Sequence, residues 1–162
     1  MKSELAKRGL SRSDVIVEVL ESIFIEDSED LAARTIAELS ACGIQAVMDD
    51  FGSGHASIAS LLQLKVSGIK VDRSLTRNIT DARAQNMMNA VLNLANGMQL
   101  PPVIEGIETP RQHKILQDLG CEFGQGYGFC RPKPLGEILD WLSDHQTTAI
   151  VQRLPASAAK AS

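Results

Sequence analysis

From residue 15 onward, short β-branched apolar runs alternate with segments whose apolar residues recur every three or four positions. That alternation is the signature of repeated βα units around a parallel sheet. Five units are predicted, with strands at Val15 to Val19, Gln45 to Met48, Gly68 to Val71, Pro102 to Gly106 and a weaker, glycine-rich one around Phe123 to Phe129, each followed by a helix. The helix near 29–42 places Ala32, Ile36, Leu39 and Cys42 on one face, follows the acidic run Asp27-Ser28-Glu29-Asp30 and stops at Gly43. A second, near 82–98, carries Met87, Val91, Leu94 and Met98 at helical spacing, which reads as a core stripe. The third is signposted by Thr109-Pro110-Arg111-Gln112, an N-cap, a proline at the first helical position and a capping-box partner, with Gly120 as its stop. A last helix after Pro134 is expected to bury Ile138, Trp141 and Leu142. Residues 1–146 therefore form one domain, and 147–162 read as a flexible tail.

Composition narrows the class. With 162 residues, 44% hydrophobic and 22% charged, the chain can bury a real core. A formal net charge of −4 leaves no broad basic surface, so a nucleic acid polymer is not an expected partner, although a local cationic site can still hold a small phosphate ligand. No apolar run approaches the length that spans a bilayer, so no membrane partner and a cytoplasmic location are expected. The three cysteines, Cys42, Cys121 and Cys130, are odd in number and lack metal-type spacing, which suits packing thiols in a reducing compartment.

The chemistry is suggested by where polar residues fall. Glu18 lies within the first strand, Asp49-Asp50 end the second, Lys70 and Asp72 end the third, Glu105 ends the fourth and Gln125 sits in the fifth. In parallel βα architectures the carboxyl ends of all strands open onto one face, so these side chains are expected to converge. A single acidic residue at a strand end can merely solvate an edge or cap the next helix. Four consecutive strands carrying charge at their ends are harder to ascribe to solvation, because strands buried on both faces carry charge only where something pairs with it. Clustered carboxylates without histidine or cysteine suit a hard divalent cation, Mg2+ or Mn2+ rather than zinc, as one or two ions. Such ions enable phosphodiester hydrolysis, with Lys70 holding the water or the phosphate.

Two glycine-rich segments frame this face. Asp50-Phe51-Gly52-Ser53-Gly54-His55 permits close backbone approach to a ligand or a mobile loop, and His55 is either a substrate contact or a solvated loop residue. Gly124-Gln125-Gly126-Tyr127-Gly128-Phe129 serves either ligand approach or barrel packing. His113 and His145 fall on predicted helices, away from the strand ends.

Taken as a set, over roughly residues 4–145, these motifs resemble the EAL family of cyclic di-GMP phosphodiesterases, whose domain is a modified TIM barrel. Val15-Ile16-Val17-Glu18-Val19-Leu20-Glu21-Ser22 is similar to the family strand with two glutamates three apart; the resemblance implies that Glu18 binds metal and Glu21 supports the loop after the aspartates. Asp49-Asp50-Phe51-Gly52-Ser53-Gly54 resembles the paired metal-binding aspartates and their loop. Gly68-Ile69-Lys70-Val71-Asp72-Arg73-Ser74 resembles the strand of the catalytic lysine, Lys70. Ile104-Glu105-Gly106-Ile107-Glu108-Thr109 resembles the next, in which Glu105 would bind metal and Glu108 lie in the site. Gly124-Gln125-Gly126-Tyr127-Gly128-Phe129-Cys130-Arg131-Pro132 resembles the last, whose glutamine, here Gln125, holds the attacking water. Asp72, Arg73, Gly126, Arg131 and Pro132 are the implied substrate contacts.

The resemblance implies metal-dependent hydrolysis of cyclic di-GMP to linear pGpG. It also exposes a departure: the family begins with three further strands, which carry the glutamate of its name motif and an asparagine ligand, and neither has a counterpart here. Smaller differences are His55-Ala56 in the loop and Leu20 where threonine is common. The expected fold is thus an incomplete TIM-type (β/α) barrel of five βα units, a partial EAL domain over 1–146 with impaired catalysis. The alternatives are a non-catalytic cyclic di-GMP-binding module and a protein-interaction module. Its unpaired edge strands point to a homo-oligomer or a partner chain that closes the barrel.

Overall fold

A computed structural model describes residues 2–20, 29–54, 58–144 and 152–153. The expectations for Glu21, His55 and His145, and for the tail apart from 152–153, lie outside the described residues. Six strands and seven helices follow in the order α1 (Lys2–Lys7), β1 (Ile16–Leu20), α2 (Glu29–Ala41), β2 (Gln45–Phe51), α3 (Ile58–Gln63), β3 (Gly68–Val71), α4 (Arg73–Arg77), α5 (Ala82–Gly97), β4 (Pro102–Ile104), α6 (Pro110–Asp118), β5 (Phe123–Gly124), α7 (Leu135–Asp144) and β6 (Gln152–Arg153). The strands lie side by side in sequence order; β1 to β5 are mutually parallel, and β6 runs antiparallel against β5.

Side chains alternate across a strand, so the register sorts the sheet into two faces. One face carries Ala46, Met48, Ile69, Val71 and Ile104, all buried, and packs with Ile36, Leu61, Met88, Leu92 and Leu116 into the core. The other carries Ile16, Glu18 and Leu20 of β1, Val47 and Asp49 of β2, Lys70 of β3, Val103 of β4 and Phe123 of β5, and it is open. At its edge Ile16 and Leu20 are 56% and 53% exposed.

Local signals explain several helix ends. Thr109 accepts from the Gln112 backbone at 3.2 Å while the Gln112 side chain accepts from Thr109 N at 3.0 Å, the expected capping box. Asp81 caps α5 by accepting from Arg83 N and Ala84 N, and Gly43 and Gly120 follow α2 and α6 in the left-handed conformation. Two helix faces differ from expectation. On α5 the buried line is Met88, Leu92 and Ala95; Val91, Leu94 and Met98 only flank it, and Met87 is 55% exposed. On α2, Ala32 and Ile36 are buried as expected, but Cys42 lies beyond the last helical residue and is exposed. Cys121, in contrast, is buried in the core. On α7, Ile138, Trp141 and Leu142 are half-buried, not core. Among the described residues no helix is long and apolar enough to cross a membrane.

Candidate metal and active site at the strand ends

The carboxyl ends of the parallel strands carry the polar residues onto the open face. Past each strand, backbone hydrogen bonds hold the rim residues to their neighbours: Asp72 N to Phe51 O at 3.0 Å, Glu105 N to Val71 O at 3.0 Å, Gln125 N to Ile104 O at 2.8 Å and Ile107 N to Gln125 O at 3.1 Å. The side chains at this rim thus inherit the rigidity of the sheet.

Asp49 and Asp50 are adjacent, and in a regular strand they would point to opposite faces. They do not, because β2 is irregular: Met48 pairs with Ile69 and Phe51 with Val71, three steps on one strand against two on the other. The extra residue is a bulge, and Asp50 takes it up with φ of 57°. Aspartate tolerates this left-handed backbone better than most residues. As a result Phe51 returns to the core, 7% exposed, while both aspartates stay at the rim.

Lys70 is the hub. Its Nζ lies 2.9 Å from Glu18 Oε1, 2.8 Å from Asp49 Oδ1 and 2.8 Å from Glu105 Oε1. Glu105 Oε1 also accepts from Gln125 Nε2 at 2.7 Å. Burial alone would make the ammonium easier to deprotonate, but hydrogen bonds to Asp49, Glu105 and Glu18, with the charge of Glu105, outweigh it and hold Lys70 above the ordinary lysine range. One oxygen each from Asp49, Asp50 and Glu105 lie within 4.8 Å of one another. An all-oxygen, anionic donor set on a rigid rim fits a hard divalent cation.

Next to this cluster a cavity of about 370 Å³ is lined by Glu105, Glu108 and Gln125, by Arg73, and by the loop after β5, including Gly126, Tyr127, Arg131 and Pro132. Trp141 and Ile138 of α7 line it as well. Arg131 stacks over the Tyr127 ring at 4.7 Å. The sequence points to most of these residues but not to the two from α7, whose apolar spacing signals only burial.

Asp72 does not line this cavity; its side chain accepts from Ser74 N at 2.9 Å and caps α4, which begins at Arg73. Partial burial would raise the Asp72 pKa, but hydrogen bonds from Ser74 and from the Arg73 backbone hold it below the usual carboxylate range. Gly106 allows Arg73 its position: it has φ of 72°, and a Cβ there would lie 2.5 Å from Arg73 Cβ. A Cβ on Gly126 would lie 2.2 Å from Ile107 O, so that glycine admits close packing of two backbones as well as lining the cavity. His113 packs edge-on against Phe129, with ring centroids 5.2 Å apart, outside the carboxylate cluster.

The family model for the EAL domain matches residues 1–132. The probable cyclic di-GMP phosphodiesterase PdeN of Escherichia coli is 33% identical over 134 residues, 82% of this chain and 26% of that protein. A solved PaMucR phosphodiesterase in complex with c-di-GMP superposes with a TM-score of 0.76 at 33% identity, over 85% of this chain and 56% of that one. Klebsiella pneumoniae BlrP1, in a manganese and cyclic di-GMP complex, superposes with a TM-score of 0.73 at 29% identity, over 80% of this chain and 33% of that one. The chain spans 17% to 26% of the length of the curated relatives it matches. From the family match and from relatives of this similarity, the chain belongs to the EAL domain family.

Proposed function

We propose that this chain is the carboxyl-terminal part of a phosphodiesterase domain that hydrolyses cyclic di-GMP to linear pGpG, and that turnover by the chain alone is impaired for want of the name-motif glutamate and the asparagine ligand. The observation that carries this reading is the meeting of Glu18, Asp49 and Glu105 around Lys70 at the strand ends, beside a cavity of about 370 Å³. That volume falls within the roughly 300–1,000 Å³ of ordinary ligand clefts.

In this reading Glu18, Asp49, Asp50 and Glu105 hold one or two Mg2+ or Mn2+ ions. A bound ion supplies charge neutralisation at a phosphoryl oxygen and acidifies an attacking water. Lys70 donates to the phosphate or the water, and Gln125, anchored on Glu105, orients the water. Glu108 lies beside them, and Glu21 supports the loop after Asp50. Arg73, Gly126, Arg131 and Pro132 receive the nucleotide, with Asp72 acting by fixing the start of α4 and so the place of Arg73.

The open sheet face and the outer edge of β1 favour a further strand there, from a second copy or a partner chain, which would close a TIM-type barrel. The same exposed edge supports the second reading, a binding or protein-interaction module without turnover. A compact, stable monomer in light scattering at micromolar concentration would contradict closure by association. For the main reading, the chain is incubated with cyclic di-GMP and Mn2+ and the product separated chromatographically. Formation of pGpG that is lost in Asp49→Asn supports hydrolysis; bound nucleotide without product leaves the nucleotide-binding module, and the absence of both product and nucleotide binding leaves only the protein-interaction module.

A further inference from the structure

We propose that Lys70 is a built-in counter-ion of the metal site: it ties the carboxylates together while no divalent cation is present and must yield Asp49 and Glu105 when one binds. This rests on the reading of the rim as a metal site, and it concerns what the chain's own lysine does toward the ion.

Three carboxylates surround one ammonium. Lys70 Nζ donates to Asp49 Oδ1 at 2.8 Å and lies in ion-pair contact with Glu105 at 2.8 Å and Glu18 at 2.9 Å. These come from three different strands, β1, β2 and the end of β4, so one side chain on β3 ties four strands of the sheet together, its own included. The pairing is partly withdrawn from water: Lys70, Asp49 and Glu105 side chains are 12%, 16% and 17% exposed. Buried ion pairs of this kind are costly to break from one side, because the other partner is left uncompensated.

The competition follows from two facts. Asp49 and Glu105 belong both to the lysine's partners and to the three-carboxylate set able to hold an ion. Glu105 Oε1 accepts from Gln125 Nε2 at 2.7 Å and lies 2.8 Å from Lys70 Nζ, so a cation at that oxygen competes with the ammonium for its charge. An ammonium left at hydrogen-bond distance from the same oxygens would also repel the incoming double charge. Lys70 therefore sets the threshold for ion binding and keeps the three carboxylates it touches compatible with the folded sheet below that threshold.

Thermal unfolding and calorimetric Mn2+ titration of the wild type, Lys70→Met and Asp49→Asn test this without reference to turnover. Lys70→Met should melt below the wild type in chelator, gain a larger rise in Tm from Mn2+ than the wild type does, and bind Mn2+ about tenfold more tightly, the sense expected when a like charge is removed. Asp49→Asn should lose most of the Mn2+ response. Should Lys70→Met fail to fold, Lys70→Gln, which keeps a hydrogen-bond donor but no charge, must show the same tightening. Equal or weaker Mn2+ binding in the lysine variants, with Asp49→Asn still impaired, overturns the counter-ion role and leaves the metal site standing. A wild type indifferent to Mn2+ overturns both.

Discussion

Asp50 and Phe51 are neighbours with opposite destinations, one at the rim beside Asp49 and Glu105 and the other in the core, and the left-handed backbone of Asp50, with φ of 57°, separates them. A single residue thereby provides both a carboxylate and the bulge that holds its neighbour's ring inside. The two roles separate by substitution. Asp50→Gly keeps the backbone and removes the carboxylate, so it should bind Mn2+ more weakly while losing less stability in urea than a bulkier residue there. Asp50→Val forces a β-branched residue into that conformation and should cost about 1–2 kcal/mol in the same urea titration. Equal destabilisation by glycine and valine would contradict the bulge account.

Gly126 lies against the backbone of Ile107, and an added methyl group would lie 2.2 Å from Ile107 O and 2.3 Å from Ile107 N. These are main-chain atoms tied into the rim by the Ile107 N to Gln125 O bond, so they cannot swing aside. Gly126→Ala should destabilise by about 3 kcal/mol, at the upper end of overpacking costs, and displace Gln125 with it. Gly136, with nothing within 4 Å of its would-be Cβ, is the control, and Gly136→Ala should leave the urea midpoint unchanged or raise it. Similar effects at the two glycines would refute the packing argument.

Burial pushes the Cys121 thiol up to about 12 from an ordinary value of 9.0, while Cys42 is exposed. At pH 8 an alkylating reagent should modify Cys42 in the folded chain and spare Cys121 until denaturant is added. The linkage has a definite sign. The folded thiol stays neutral where the unfolded one ionises, so its contribution is whole below about pH 9 and is lost as pH climbs from there toward 12. Cys121→Ala should flatten that part of the stability profile, as read from unfolding midpoints between pH 8 and 10.5.

Much of this was legible in the residues, for reasons that can be named. Gly68 to Val71 is read with the right limits because a short, mostly apolar run stops at an aspartate that caps the next helix. The α6 boundaries followed from a capping box whose two hydrogen bonds are both made. The core face of α5 was read one residue off: Met87 and Met88 both fit a helical stripe, and only the sheet beneath decides that Met88 enters it. The five-residue α4 was not anticipated, since little more than a single turn has no periodicity to detect. The strand ends were read as a converging site, but the means by which two adjacent aspartates share one face was not. A trace of it is present in the spacing of core residues, two from Ala46 to Met48 and then three to Phe51, an interruption that marks a bulge.

The account stands or falls on whether the strand ends bind a divalent ion between the side chains they bring together. Crystals grown with Mn2+ and cyclic di-GMP, measured at the manganese absorption edge, answer this directly. The account predicts an anomalous peak within bonding distance of Asp49, Asp50 and Glu105, with Lys70 Nζ moved away from Asp49 and Glu105. A clear nucleotide in the cavity with no peak at these oxygens, or a peak bound elsewhere while Lys70 keeps all three partners, would contradict it.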